Sequence, residues 1–151
     1  MALTTFGAIM GFAAEIVERT EETYKGLVQK AQDSALKETL QFLLGEGKKN
    51  RSLMEKTRRE NVTEMILEPI TGLRQEDYEV SVTVQDRMGD VDLLKAALVL
   101  EEREKKFFHD ASLKVSLPEV ARIFRKIVQK KEDNIARLQS LGMNQSLKKT
   151  G

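Results

Sequence analysis

The chain has 151 residues, with 25 basic and 24 acidic side chains and a formal net charge of +1. That balance provides no strong field for nucleic acid or an anionic membrane. The absence of cysteine excludes disulfides, thiolate metal sites and cysteine nucleophiles, and it fits a reducing compartment. No apolar run reaches the roughly 18–20 residues of a membrane span, so a cytoplasmic protein with neither nucleic acid nor membrane as partner is expected.

In chain order, the first helix is predicted from about Thr5 to Ala31, with Thr4 or Thr5 as its N-cap. MALTTFGAIMGFAAEIVERT lacks a basic start and a small-residue cleavage site, so it reads as helix and not as a signal peptide. Asp33 or Ser34 caps helix 2, which continues to about Glu60. The short joint makes helices 1 and 2 an antiparallel hairpin. Between about Asn61 and Gly89, Pro69 and Gly72 break helix, and Tyr78, Val80, Val82 and Val84 alternate with polar residues as extended, strand-like chain. A 25-residue helix is roughly 38 Å long, and about 12 extended residues cover that distance. The segment is therefore long enough to cross the bundle, which would let helix 3 start at the same end as helix 1. Asp90 opens helix 3, which ends near Val115. Ser116 and Glu119 form a capping-box pattern around Pro118, and helix 4 runs to Leu141 with Gly142 as C-cap. The domain ends at 142, and residues 143–151 read as a flexible tail.

Each helix carries one face at alternating steps of three and four residues. The first reads Phe6, Met10, Ala13, Val17, Thr20, Tyr24, Leu27, Ala31. The second reads Leu36, Leu40, Leu43, Gly47, Asn50, Met54. The third reads Leu94, Ala97, Glu101, Glu104, Phe108, Ala111, Val115, and the fourth Val120, Phe124, Ile127, Lys131, Asn134, Leu138, Leu141. Every face stops being apolar at mid-span. Burying unpaired charge is very costly, so the interruption predicts a polar layer that is a site or the remains of one. A shift of 84 residues lays helix 1 on helix 3 and helix 2 on helix 4 without a gap. It pairs Tyr24 with Phe108, Leu40 with Phe124 and Asn50 with Asn134, which suggests a duplicated hairpin.

Two helical hairpins, a long crossover and a mid-bundle polar layer resemble the ferritin-like superfamily, above all its rubrerythrin-type domain. ALVLEEREKKFFHDA, residues 97–111, is similar to the family's third helix, with Glu101 at a ligand position about two turns before the pair Phe107 and Phe108. The resemblance implies an all-α, ferritin-like four-helix bundle of two antiparallel hairpins joined by a long crossover. It also implies six ligand positions: Val17, Gly47, Asn50, Glu101, Lys131 and Asn134. A ferritin-like diiron site takes four carboxylates and two histidines from the four helices. Only Glu101 retains a matching residue, and the single histidine, His109, falls outside the layer. No catalytic residue, metal site or cofactor is therefore expected. The functional expectation is a bundle that has lost its diiron centre and serves as a non-catalytic structural or interaction protein. The alternative is a metal-binding ferritin-like oxidoreductase holding iron or another divalent metal in a rearranged carboxylate-rich site. An unrelated helical adaptor is a third reading.

Lys131 is expected to pair with Glu101 in place of the lost metal charge, in preference to acting as a catalytic amine. Glu104 either shares that partner or reaches solvent. Asn50 and Asn134 are expected to meet directly or through water. Gly47 leaves a small space or lets helices close. Glu15, Glu18, Glu21 and Glu22, with Glu46 and Glu132, read as solvated helix faces, although a register slip would gather them into an oxygen site. His109 and the basic run Lys48, Lys49, Arg51, Lys56, Arg58, Arg59 read as surface. No phosphate loop, nucleophile elbow or zinc motif is present. The apolar crossover residues suggest a homodimer with the crossover or an adjacent helix face at its interface, and leave room for an unidentified protein partner.

Overall fold

The first two helices begin where short polar side chains satisfy free N–H groups. The structure, a computed structural model, describes residues 1–61 and 70–142. Pro69 and the expected tail at 143–151 lie outside the described residues. Helix α1 spans Phe6–Lys30, and the Thr5 hydroxyl accepts from the Ala8 N–H at 3.0 Å. Helix α2 spans Ser34–Glu60, capped by the Asp33 carboxylate, which accepts from the Leu36 N–H at 2.9 Å. Helix α3 spans Asp90–Lys114, and helix α4 spans Pro118–Gly142. The first turn of α4 closes on the Leu117 carbonyl, which accepts from the Ala121 N–H at 3.0 Å. The cap is thus Leu117, and the expected Ser116–Glu119 box sits one residue too early. Both ends of α3 lie 84 residues after those of α1, and Pro118 lies 84 after Ser34.

These helices form an all-α four-helix bundle of two hairpins, α1 with α2 and α3 with α4. Contacts between the hairpins fix the direction of travel. Phe12 meets Phe107, Thr20 meets Arg103 and Tyr24 meets Glu101, so α3 runs antiparallel to α1. Helix α3 therefore starts where α1 finishes, and the expectation that both start at one end is corrected. The reason is topological. Helix α2 returns to the head of α1, so a segment that crosses the whole bundle must deliver α3 to the far end.

The crossover can be followed along α1. Near its start, the Ile70 N–H donates to the Thr4 carbonyl at 2.8 Å and the Leu3 N–H to the Leu73 carbonyl at 2.9 Å. Gly72 turns the chain with φ of +89°, a conformation glycine adopts without steric strain. A 3₁₀ turn follows at Gln75–Tyr78. The alternating residues beyond it are extended but form no ladder. The only bridge among the described residues joins Ala2 to Arg74. Farther along, Val84 packs on Gly26, where an added Cβ would stand 3.0 Å from a Val84 methyl. At the end, the two Asp90 carboxylate oxygens accept from the Gln32 and Asp33 N–H groups, both at 2.9 Å. One carboxylate at the first turn of α3 thus fastens the second hairpin to the bend of the first.

The core is divided. One apolar cluster gathers Phe6, Met10, Val17, Met54, Phe108 and Phe124 near the head of α1. The other gathers Tyr24, Leu27, Leu36, Leu40, Leu94 and Leu138 near its tail. In the first, Phe12, Tyr78, Phe107, Phe108 and Phe124 stack edge to face in sequence, an arrangement favoured by the ring quadrupole. Tyr78 is buried there, while Val82 and Val84 pack against the second cluster. Three of the four crossover side chains expected to await a partner therefore cover the chain's own bundle, and Val80 alone stays open. No described helix is long and apolar enough to cross a membrane.

Replacing Asp90 with Ala removes the acceptor for two loop N–H groups. Asp90 is buried but Gln32 is exposed and Asp33 half-buried, so water takes up part of the lost bonding, and urea unfolding should show a loss of about 1 kcal/mol, with helix content unchanged. A loss within error would show that water serves those donors equally well.

Candidate functional site

The two apolar clusters are separated by a layer to which all four helices contribute. Helix α1 provides Thr20 and Tyr24, α2 provides Glu46 and Asn50, α3 provides Glu101, Arg103 and Glu104, and α4 provides Lys131 and Asn134. All nine are buried. Glu101 is the hub, with no exposure at all. Its Oε2 accepts from the Tyr24 hydroxyl at 2.7 Å and from Lys131 Nζ at 3.1 Å, and its Oε1 accepts from Asn134 Nδ2 at 2.7 Å. Asn134 Nδ2 also reaches Glu46 Oε1 at 2.9 Å. Lys131 Nζ lies 3.4 Å from Glu46 Oε1 and 3.7 Å from Glu104 Oε1. A single ammonium therefore sits among three carboxylates.

The positions follow from helical spacing. Glu101 and Glu104 are three apart on α3, as are Lys131 and Asn134 on α4, so each pair shares one face. Beside the layer, Arg103 donates to the Thr20 hydroxyl at 2.9 Å and to the Tyr78 carbonyl at 3.4 Å. Among the described residues, two buried side-chain atoms have no hydrogen-bond partner: Glu104 Oε2 and Arg103 Nε.

The electrostatics describe a closed set of charges. Burial acts to lower the Lys131 pKa, but Glu104, Glu101 and Glu46 together hold it above the ordinary lysine value. Burial pushes the Glu104 carboxyl up, and Glu101 adds to the rise, while Lys131, Thr20 and Arg103 oppose it. Burial also raises the Tyr24 hydroxyl well above its usual value, helped by Glu101. Burial lowers the Arg103 guanidinium, which remains strongly basic in character. Tyr24 thus stays a neutral donor and Lys131 a fixed cation. A lysine held in its ammonium form cannot attack a carbonyl, so the layer does not assemble an amine nucleophile.

Several sequence expectations are corrected by these positions. The six proposed ligand positions differ in their surroundings. Glu101, Lys131 and Asn134 come together, whereas Val17 belongs to an apolar cluster. Gly47 faces α1, where an added Cβ would stand 3.7 Å from Glu21 Cα and Cβ; it serves close helix packing. Asn50 is buried but does not bond Asn134, whose amide nitrogen is taken by Glu46 and Glu101. Glu46 is not solvated: position 46 turns toward α4 while position 47 turns toward α1. Glu21 is buried as well, paired with Arg51 at 2.7 Å, so Arg51 leaves the group of purely solvated cations. Glu15, Glu18, Glu22, Glu132 and His109 are exposed. Tyr24, Glu46 and Arg103 are the site residues that sequence reasoning missed. Tyr24 was legible only as an aromatic, and its hydroxyl meets Glu101 through tertiary packing.

The dinuclear iron centre implied by the family resemblance does not fit this donor set. The layer has no histidine, and its lysine ammonium occupies the space between the carboxylates. Among the described residues no group of three or more histidine, aspartate or glutamate side chains is arranged to hold a metal ion. Comparison with family models, curated proteins and solved structures finds no match to this chain.

Lys131→Met would strand three carboxylates and should cost roughly 3–5 kcal/mol at neutral pH. The Lys131 pKa is raised in the fold, so its contribution is complete below the ordinary value of 10.5 and is lost as pH rises through the folded value. On the acid side, protonation of Glu104, whose carboxyl burial already pushes up, relieves the variant. The stability gap between wild type and Lys131→Met should therefore be widest near neutral pH and narrow on both sides. Glu101→Leu/Lys131→Met should lose less than the sum of its single variants in chemical unfolding; strict additivity would disprove the coupling.

Gly47→Ala places its methyl at ordinary contact distance from Glu21. It should raise stability by about 0.5–1 kcal/mol, the helical advantage of Ala over Gly. A loss in thermal unfolding would mean that α1 and α2 cannot accept even this methyl.

Proposed function

We propose that this chain is a ferritin-like bundle, built from a duplicated hairpin, in which a lysine ammonium stands where related bundles place metal. It serves as a non-catalytic structural or interaction protein, associates with itself, and works in the cytoplasm. The observation that carries this reading is Lys131, held 3.1 Å from Glu101, 3.4 Å from Glu46 and 3.7 Å from Glu104 at the bundle centre. An ammonium at that point supplies positive charge without open coordination positions, redox change or Lewis acidity. The 84-residue offsets from both ends of α1 to those of α3 and from the start of α2 to that of α4 support the duplication, and the crossover running the length of α1 supports the ferritin-like topology.

The test is elemental analysis of protein purified from cells grown with ample iron, with thermal unfolding before and after chelation. The expected result is no stoichiometric metal and an unchanged, cooperative transition. Two irons per chain, or one tightly held divalent ion whose removal lowers the midpoint, would overturn the reading in favour of a rearranged carboxylate-rich metal site.

A further inference from the structure

The outer face of α3 is self-complementary in charge. Lys95, Val99, Glu102, Lys106, His109 and Leu113 are all exposed and follow one another at steps of four, three, four, three and four. That spacing makes one continuous stripe along a helix. Of the large apolar side chains left exposed, Val99 and Leu113 lie on this stripe, at 42 % and 72 %, and Val80 stands beside it at 37 %. Between the stripe and the crossover runs a trough of about 780 Å³, lined by Tyr78, Val80, Leu98 and Val99. Glu102 and Lys106 have no charged partner among the described residues. Lys106 is held toward this face by the Tyr78 ring, 5.5 Å from its centroid, a cation–π contact that limits where the ammonium can swing.

We propose that this stripe is the face through which two copies of the chain associate, α3 packing antiparallel on α3 about a two-fold axis at the level of Glu104. The inference rests on the self-association just proposed and names its surface and register. A two-fold contact uses the same patch twice, so charge must complement itself on reversal. About this axis Glu102 meets the partner's Lys106, and Lys106 meets the partner's Glu102. Val99 lies against the partner's His109, and the apolar stem of Lys95 covers the partner's Leu113. The registers one heptad away fail: one sets Lys95 against the partner's Lys106, and the other sets Glu102 against the partner's Leu113. A single register combines both ion pairs with coverage of the apolar groups. A helical ligand of uniform charge would satisfy only half of the stripe.

The test is sedimentation equilibrium of the full chain across roughly 5–500 µM, with Glu102→Lys, Lys106→Glu and the double reversal. Each single reversal creates two like-charge contacts per dimer and should weaken association by about tenfold or more. The double reversal restores both pairs and should return association to near the wild-type level, with circular dichroism unchanged throughout. A wild-type monomer across the range would overturn both the interface and the self-association. A wild-type dimer that ignores the single reversals would overturn this interface alone and leave self-association through another face. Single reversals that weaken association without rescue by the double reversal would also overturn it, because the charges would then not be meeting each other.

Discussion

A primary ammonium enclosed in a helical bundle must be answered by negative charge, and the architecture here follows from that requirement. Lys131 loses its hydration on folding, a penalty of several kcal/mol for an ion in a real protein interior. Three carboxylates recover it, and they come from α2 and α3 while the lysine comes from α4. Three negative groups around one positive group leave negative charge in excess. Burial pushes the Glu104 carboxyl up, and the neighbouring Glu101 charge adds to that push. Among the described residues Glu104 Oε2 has no hydrogen-bond donor, which leaves that carboxylate the less well satisfied.

The layer also settles how the two hairpins dock. Within the second hairpin, Lys131 and Asn134 both bind Glu101. Between hairpins, the Tyr24 hydroxyl reaches Glu101, and Glu46 takes both Asn134 and Lys131. Sliding one hairpin by a helical turn would present these groups to Leu, Val or Phe side chains of the flanking clusters. Apolar packing tolerates such slips more readily than buried hydrogen bonds do, because an unsatisfied buried polar group is penalised in every wrong register. Asp90 acts similarly at the far end of the molecule, where it ties the start of α3 to the bend between α1 and α2. The central layer and the end clamp together hold a crossover whose described residues form little beyond one 3₁₀ turn.

Much of this was legible in the chain. Helix faces, cap residues Thr5 and Asp33, the hairpin joints and the mid-span loss of apolar character all follow from local spacing, which the three-four periodicity reports directly. The direction of α3 was also implicit, but it required following the chain to the end of α2 before crossing. What was less legible depends on rotation about a helix axis. Glu46 and Gly47 are neighbours in sequence, and the approach of α1 to α2 decides which of them faces the centre. A one-residue change of phase moves a side chain by about 100°, enough to exchange a solvated glutamate for a buried one. Tyr24 shows a second limit. Its ring obeys the apolar pattern, while its hydroxyl finds a partner 77 residues away that no local pattern specifies.

The distribution of charge between the hairpins gives the layer its character. At positions 84 residues apart, the first hairpin offers Val17, Thr20, Gly47 and Asn50 where the second offers Glu101, Glu104, Lys131 and Asn134. A metal centre with ligands from all helices draws on both halves evenly. Here the first hairpin is neutral or small at those places, and the second carries both signs of charge itself. Glu46 re-enters from the first hairpin, and it does so from a neighbouring position, not from the one equivalent to Lys131. An internal ion pair of this kind adds little net stability compared with apolar packing of the same volume. It disfavours other arrangements of the hairpins, because displacing one of them strands buried charge. Chemistry would require a group that changes charge or bonding near neutral pH. The enclosed lysine and tyrosine are both pushed away from that range by their surroundings, while burial moves the Glu104 carboxyl up toward it.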